Sequence, residues 1–186
     1  MSQSILRAAD HRRMPWKNGR GETLEVAVHP QGAGLADFGW RISMAGVVED
    51  GAFSDFPGID RSLALLGGTA LDLHLDGGTH RLTPEGPPLA FAADVPCHAS
   101  LPAGPVSDLN VMTRRGSFTH RLARLDRPAT GAPDWRLLLA TRPATLDLAG
   151  GSVALGPLDA LLCDGSDAAQ PLGPLPGVWL IEIARA

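Results

Sequence analysis

Tyrosine is absent from this 186-residue sequence, and lysine occurs once, at position 17. The abundance of arginine, alanine, glycine and proline reflects a GC-rich coding background, which drifts lysine toward arginine. Lys17 stands out against that drift, since a compact ammonium and a guanidinium do different work. Cysteine is scarce as well. Cys97 and Cys163 are too few for a disulfide framework and read as reduced thiols. No run of about 18 apolar residues occurs, so no membrane-spanning helix is predicted. The opening MSQSILRAADHRR lacks the apolar segment of a signal peptide, and a soluble, cytoplasmic protein is expected. The net charge is -4, and the adjacent Arg114 and Arg115 make no basic face, so nucleic acid is not expected as a partner.

Signatures of chemistry are missing too. His11, His29, His74, His80, His98 and His120 form neither H-x-H nor H-E-x-x-H, so no metal or other cofactor is expected. There is no G-x-S-x-G nucleophile elbow. Cys97 and His98 are neighbours, but adjacent residues on an extended chain point to opposite faces. The pairs Asp72 with Asp76 and Asp55 with Asp60 fall where aspartates commonly form turns.

What is present is β patterning, with a core-sized hydrophobic content of 44%. LEVAVHP sets Leu24, Val26 and Val28 against Glu25, Ala27 and His29. FGWRISMAG sets Phe38, Trp40, Ile42 and Met44 against Gly39, Arg41, Ser43 and Ala45. DLNVMT sets Leu109 and Val111 against Asp108, Asn110 and Met112. ALDLHLDGGTHRL predicts a hairpin around Gly77 and Gly78, and VWLIEIARA a final strand. No segment of about 12 residues keeps a helical period. A faint repeat joins TALDLHLDGGTHRL to ATLDLAGGSVAL, and PLAFAAD to LDALLCD downstream. Either two similar antiparallel units are fused or two hairpins simply look alike. Many short strands with frequent Pro and Gly turns favour an all-β sandwich or barrel.

PWKNGRGET, residues 15–23, invites comparison with a phosphate loop. No Gly-Lys-Ser/Thr and no helix follow, so the anion site at a helix N-terminus is missing. Asn18, Gly19 and Gly21 suit a tight turn that launches a strand. That leaves Trp16, Lys17 and Glu22 unexplained. Arg41 and Ser43 share a strand face with the small Ala45, as Asp108 and Asn110 share another. Such faces are either solvated or turned into a polar pocket.

PWKNGRGETLEVAVHP, FGWRISMAGVVEDGAFSDFPGIDRSLALLGG and DLNVMTRRG together resemble the HutD/Ves family, from about Pro15 to Arg115. The resemblance implies a cupin-type antiparallel β-barrel or jelly roll, with two cupin units in one chain and without the usual cupin metal histidines. It implies approximate halves of 1–120 and 121–186, the second open to strands exchanged from the N-terminus, in one compact bicupin. It also implies a tie to histidine utilisation, through binding of an intermediate such as urocanate or formylglutamate, with no established enzymatic activity. The Ves branch is linked to stress response. Two departures lie in loops: Arg20 stands where the family usually has a small residue, and Ala93-Asp94 where it usually has Gly-Asp.

The resulting expectation is a regulatory protein that binds a small anionic metabolite and forms a homodimer. Lys17, Arg41 and Arg61 would supply cations. Asn18, Glu22, Ser43, Asp108 and Asn110 would orient the ligand, and Trp16 would give it an apolar wall. An internal bridge from Arg41 to Asp108 or Glu22 is the competing role for those charges. The rival function is a metal-free isomerase or lyase for a small acid, using Glu22, Asp108, His74 or His98.

Overall fold

The computed structural model describes residues 3–16, 21–148 and 150–186. Lys17 and Asn18, two of the expected ligand-binding residues, lie outside the described residues. The chain runs through β1 (Gln3–Leu6), β2 (Arg12–Pro15), β3 (Glu22–His29), β4 (Trp40–Val47), β5 (Gly51–Ala52) and β6 (Ile59–Gly67). It continues through β7 (Leu71–Leu75), β8 (Gly78–Leu82), β9 (Leu89–Ala92), β10 (His98–Ser100), β11 (Val106–Arg114) and β12 (Phe118–Arg124). β13 (Trp135–Ala140), β14 (Ala144–Leu148), β15 (Gly151–Leu155), β16 (Ala160–Asp164), a short α1 (Gly165–Ala168) and β17 (Val178–Arg185) complete it. Among the described residues no helix is long and apolar enough to cross a membrane.

Two compact units are formed, one by Arg12–Phe118 and one by Met1–His11 with Thr119–Ala186. The first holds a six-stranded sheet, in the order β2-β3-β4-β11-β6-β9, and a four-stranded sheet, β5-β10-β7-β8. Their facing sides share one core. Leu63 and Leu65 of β6 and Val106 of β11 meet Leu71 and Leu73 of β7, Leu82 of β8 and Ala99 of β10. Alternation drives this packing, because period-two spacing puts each of these residues on its sheet's inner side. Leu63, Leu71 and Leu73 are fully buried, and each such side chain contributes about 1.5–3 kcal/mol of hydrophobic stabilisation.

The second unit pairs β1-β16-β13-β17-β12 and carries the β14-β15 hairpin. Its core includes Leu138, Ala140, Leu161, Cys163 and Leu180. Arg136 shares the face of Leu138 and Ala140, 1% exposed. Its Nη2 donates to Glu182 at 2.8 Å and to the Gly131 carbonyl at 3.0 Å. Buried guanidinium groups need such partners.

The two Leu-Asp-Leu segments both open hairpins. Leu71 pairs Leu82 and Leu75 pairs Gly78 in the first; Ala144 pairs Leu155 and Leu148 pairs Gly151 in the second. PLAFAAD contains β9 and LDALLCD contains β16. Gly77 has φ 75°, the left-handed value that a hairpin turn requires.

The alternation read for LEVAVHP is interrupted. A bulge between Glu25 and Ala27 shifts the register of β3 on β4, so that Glu25 pairs Ser43 whereas Ala27 pairs Ile42. Thr23 and Glu25 therefore lie on the Ser43 side, and Ala27 and His29 on the other. An extra residue inverts the phase of a strand. The adjacent Arg114 and Arg115 are structural braces. Arg114 donates to the carbonyls of Phe38 and Ala36. Arg115 bridges Asp60 at 2.8 Å and Asp94 at 3.0 Å, which holds the Asp94 carboxyl well below the ordinary carboxylate range. Asp94, which follows the Ala93 departure, is thereby tied down rather than free.

Candidate functional site

The inner face of the six-stranded sheet is apolar at one end and polar at the other. Register lays the polar end out in rows. In one, Arg41 of β4, Met112 of β11 and Arg61 of β6 lie side by side. In the next, Glu25, Ser43, Asn110 and Leu63 are adjacent, and in the third Thr23, Ala45, Asp108 and Leu65. At a strand spacing of about 4.8 Å the two arginine backbones are roughly 10 Å apart. A second bulge, between Ser107 and Asp108, lies at the third row. Bulges often re-aim a side chain next to a site.

This floor belongs to a cavity of about 660 Å³ within the Arg12–Phe118 unit. Trp16, Phe53, Phe56 and Leu35 give it apolar walls, and Glu49 and Asp50 also line it. Trp16 is fixed by its Nε1, which donates to Thr23 Oγ1 at 2.9 Å. Gly21 is needed for that arrangement, because a Cβ there would lie 2.8 Å from the Gly46 carbonyl and 2.9 Å from the Trp16 ring.

The two arginines are buried in different ways. Arg41, 4% exposed, donates from Nε to Glu25 at 2.7 Å and from Nη1 to Ser43 at 3.4 Å. Its partner is thus Glu25 of β3, and neither Asp108 nor Glu22. The bulged strand turns Glu25 inward, while Glu22 pairs Arg13 at 2.8 Å with a side chain 44% exposed. Glu22 is not among the cavity-lining residues. Arg61 is 7% exposed and makes no ion pair among the described residues. Its Nε and Nη2 both donate to Asn110 Oδ1, the first at 2.7 Å. Its guanidinium carbon lies 4.5 Å from the centre of the Phe53 ring, a cation–π contact. Burial pushes the Arg61 pKa down to about 10, with Asp108 opposing that shift and Arg41 adding to it. Arg61 remains a cation at neutral pH.

Asp108 is 1% exposed. Its Oδ1 accepts from Asn110 Nδ2 at 2.5 Å, and its Oδ2 has no hydrogen-bond partner among the described residues. Burial pushes its pKa up to about 7, against the opposing pull of Arg61, the Ala45 amide and Asn110. The Arg61–Asn110–Asp108 chain fixes every donor and acceptor. Arg61 can only donate, so Asn110 presents Oδ1 to it and Nδ2 to Asp108.

Of the residues expected at the site, Trp16, Arg41, Ser43, Arg61, Asp108 and Asn110 line one cavity. Phe53 and Phe56, which also line it, and Glu25, which pairs with the lining Arg41, were not expected. Glu25 is hidden by the bulge. The phenylalanines sit in irregular chain between strands, where alternation carries no information. His74 and His98 pair across β7 and β10 with ring centres 6.1 Å apart, but neither lines the cavity. The His74 ring nitrogens bond Thr79 Oγ1 at 2.9 Å and Ser100 Oγ at 3.0 Å. Among the described residues no group of three His, Cys, Asp or Glu side chains is arranged to hold a metal ion.

Comparison with known proteins adds to this geometry. The HutD family model matches residues 8–174. An uncharacterised 21.2 kDa protein in the hutC 3′ region of Pseudomonas putida is 36% identical over 172 residues, 90% of each chain. Protein Ves of Citrobacter koseri is 40% identical over 65% of this chain and 64% of its own. The crystal structure of a conserved protein of unknown function from Pseudomonas aeruginosa PAO1 superposes with a TM-score of 0.85 at 31% identity, over 99% of this chain and 100% of that one. HutD from Pseudomonas fluorescens SBW25 superposes with a TM-score of 0.82 at 32% identity, over all of both chains. A putative glyoxylate-induced protein from Pseudomonas aeruginosa, at 9% identity and a TM-score of 0.67 over 99% of this chain and 89% of that one, shares the cupin-like all-β fold.

Proposed function

The chain belongs to the HutD family, and from that premise we propose that it binds a small carboxylate and tunes histidine utilisation without transforming the ligand. The observation that carries this reading is Arg61. A buried cation ordinarily has an anionic partner, because desolvation is costly. Among the described residues Arg61 directly meets a neutral amide, the Phe53 and Phe91 rings and a cavity, and the Asp108 carboxyl lies one step away, beyond Asn110. A carboxylate lying over Ser43 and Asn110 has Arg61 on one side and Arg41 on the other. The walls of Trp16, Phe53 and Phe56 suit a planar or short apolar body, as in urocanate or formylglutamate. The hutC-region name of the Pseudomonas putida relative supports the histidine-utilisation context.

The same proposal treats each compact unit as a cupin unit, supported by the two matching hairpins, and the whole as a homodimeric cytoplasmic protein. The enzymatic alternative, an isomerase or lyase of a small acid, draws on one observation: Asp108 faces the cavity with its pKa near neutrality. Nuclear magnetic resonance of urocanate or formylglutamate incubated with the protein separates the two. Unchanged spectra are expected here, and a new product would establish the enzyme.

A thermal-shift series with urocanate, formylglutamate and related dicarboxylates tests the binding reading. A ligand at a hundredfold excess over its Kd stabilises by about 2.7 kcal/mol, which is easily seen as a rise in Tm. Melting temperatures unmoved by every member would remove the proposal's support.

A further inference from the structure

The orphaned Oδ2 of Asp108 carries the reading of this cavity one step further, and the step rests on the carboxylate-binding proposal above. We infer that the cavity takes up its carboxylate together with one proton, which comes to rest on Asp108 Oδ2 and is donated to the bound carboxylate.

The donor and acceptor chain leaves little choice. Arg61 fixes Asn110, and Asn110 fixes Asp108 Oδ1 as an acceptor. Oδ2 is therefore the only Asp108 atom able to carry a proton without breaking that chain. It is buried, and unpartnered among the described residues. Without ligand, an ionised Asp108 supplies the negative charge nearest in function to Arg61. A ligand carboxylate supplies that charge instead. Two carboxylates cannot both stay ionised at close range in a water-poor site, as paired acidic groups sharing one site show. The weaker acid of the pair takes a proton, and the carboxyl already pushed up to about 7 by burial is Asp108.

Among the described residues the other charged groups around it do not reverse this. Arg41 on β4 is engaged by Glu25 on β3. Arg61 on β6 favours the ionised form and is already included in the Asp108 balance. Cys97, before β10, is itself pushed up by burial and stays a thiol at neutral pH. Glu49 and Asp50 line the cavity as further carboxylates, and neither is among the groups that act on Asp108. No histidine lines the cavity. The proton balance follows the state of the free site: above about pH 7, where Asp108 is ionised without ligand, solvent supplies close to one proton per carboxylate bound, and it returns on release.

Acetate and formylglutamate serve as probes, since neither titrates between pH 6 and 8.5. Binding to the full chain is measured by calorimetry or carbon-13 resonance across that range, and in two buffers of different ionisation enthalpy at pH 8. If only the protonated site accepts the ion, affinity falls about 30-fold from pH 6 to pH 8.5, and the buffer dependence reports proton uptake close to one per ligand at pH 8. Asp108→Asn keeps a donor at that position, so it binds with a flat pH profile and no proton uptake.

A flat profile in the wild type, or a slope unchanged in Asp108→Asn, overturns this inference and leaves the binding proposal standing. Proton-linked acetate binding with formylglutamate and urocanate silent supports the inference and removes the proposed ligand. Absence of all binding at every pH overturns both. The two-buffer measurement uses the wild type alone, so a poorly folded variant does not shield the idea.

Discussion

Glu25 and Arg41 are 8% and 4% exposed, and each depends on the other. Arg41→Met leaves an uncompensated buried carboxylate and is expected to cost about 3–5 kcal/mol in urea denaturation. Arg12, 3.7 Å from Glu25, recovers only a small part of that, because it is exposed to solvent. The double variant Arg41→Met with Glu25→Leu is expected to regain much of the loss, since an apolar pair can replace a buried ion pair. A double variant no better than Arg41→Met would show that the guanidinium also supports the fold through Ser43 Oγ or through Met14 Sδ, to which its Nη2 donates at 3.4 Å. Asp108 makes the opposite prediction for pH. Its folded pKa lies above its unfolded value, so its favourable contribution is full below about 4 and is lost as pH rises through about 7. Ligand-free wild type is expected to lose about 2–4 kcal/mol over that interval relative to Asp108→Asn, measured as the difference between their urea midpoints. Parallel stability curves for the two proteins would place the titrating group elsewhere.

At the scale of elements, the turn between β6 and β7 tolerates little. Gly68 has φ 88°, and a Cβ there would approach the Pro105 carbonyl at 2.7 Å and Val106 Cα at 2.9 Å. Both obstacles are backbone, so Gly68→Ala is expected to destabilise by about 1–3 kcal/mol. A loss below about 0.5 kcal/mol in urea denaturation would show that the turn relaxes freely. The same scale explains what was readable beforehand. β4 and β11 alternate without interruption, so Arg41 and Ser43, and Asp108 and Asn110, were paired correctly from sequence. Polar residues at every second position ordinarily mark a solvated face. Here that face points into a cavity, and alternation alone does not distinguish water outside from a ligand site inside. Glu25 was lost for a sharper reason: one extra residue in β3 inverts the phase, and bulges leave no period of their own.

At the scale of the whole molecule, sequence patterning was sufficient for an all-β chain but not for how its strands are shared. The N-terminal β1 pairs with β16, more than 150 positions away along the chain, and only the family resemblance hinted at such an exchange. Leu6 pairs the buried Ala160, and Ile5 the buried Leu161. Arg7 donates to Asp159 at 2.6 Å beside them. Removing residues 1–7 is expected to expose the β16 edge, lower the melting temperature by several degrees and speed amide hydrogen exchange in Ala160–Asp164. Unchanged protection there would mean that β1 contributes nothing to that unit. The cavity lies wholly within the other unit, and its floor draws on β3, β4, β6 and β11. Composition and short motifs carry no trace of such long-range register, which is why Phe53, Phe56 and Glu25 joined the site only once the strands were ordered.

The central claim is that Arg61 faces a site for a carboxylate, and calorimetric titration of formylglutamate at pH 6.5 into wild type and Arg61→Met tests it most directly. The account predicts saturable binding of one ligand per cavity in the wild type. It predicts at least about tenfold weaker binding in a folded Arg61→Met, a loss of about 1.4 kcal/mol or more. Equal affinity in the two proteins, or no heat of binding in the wild type, would contradict it.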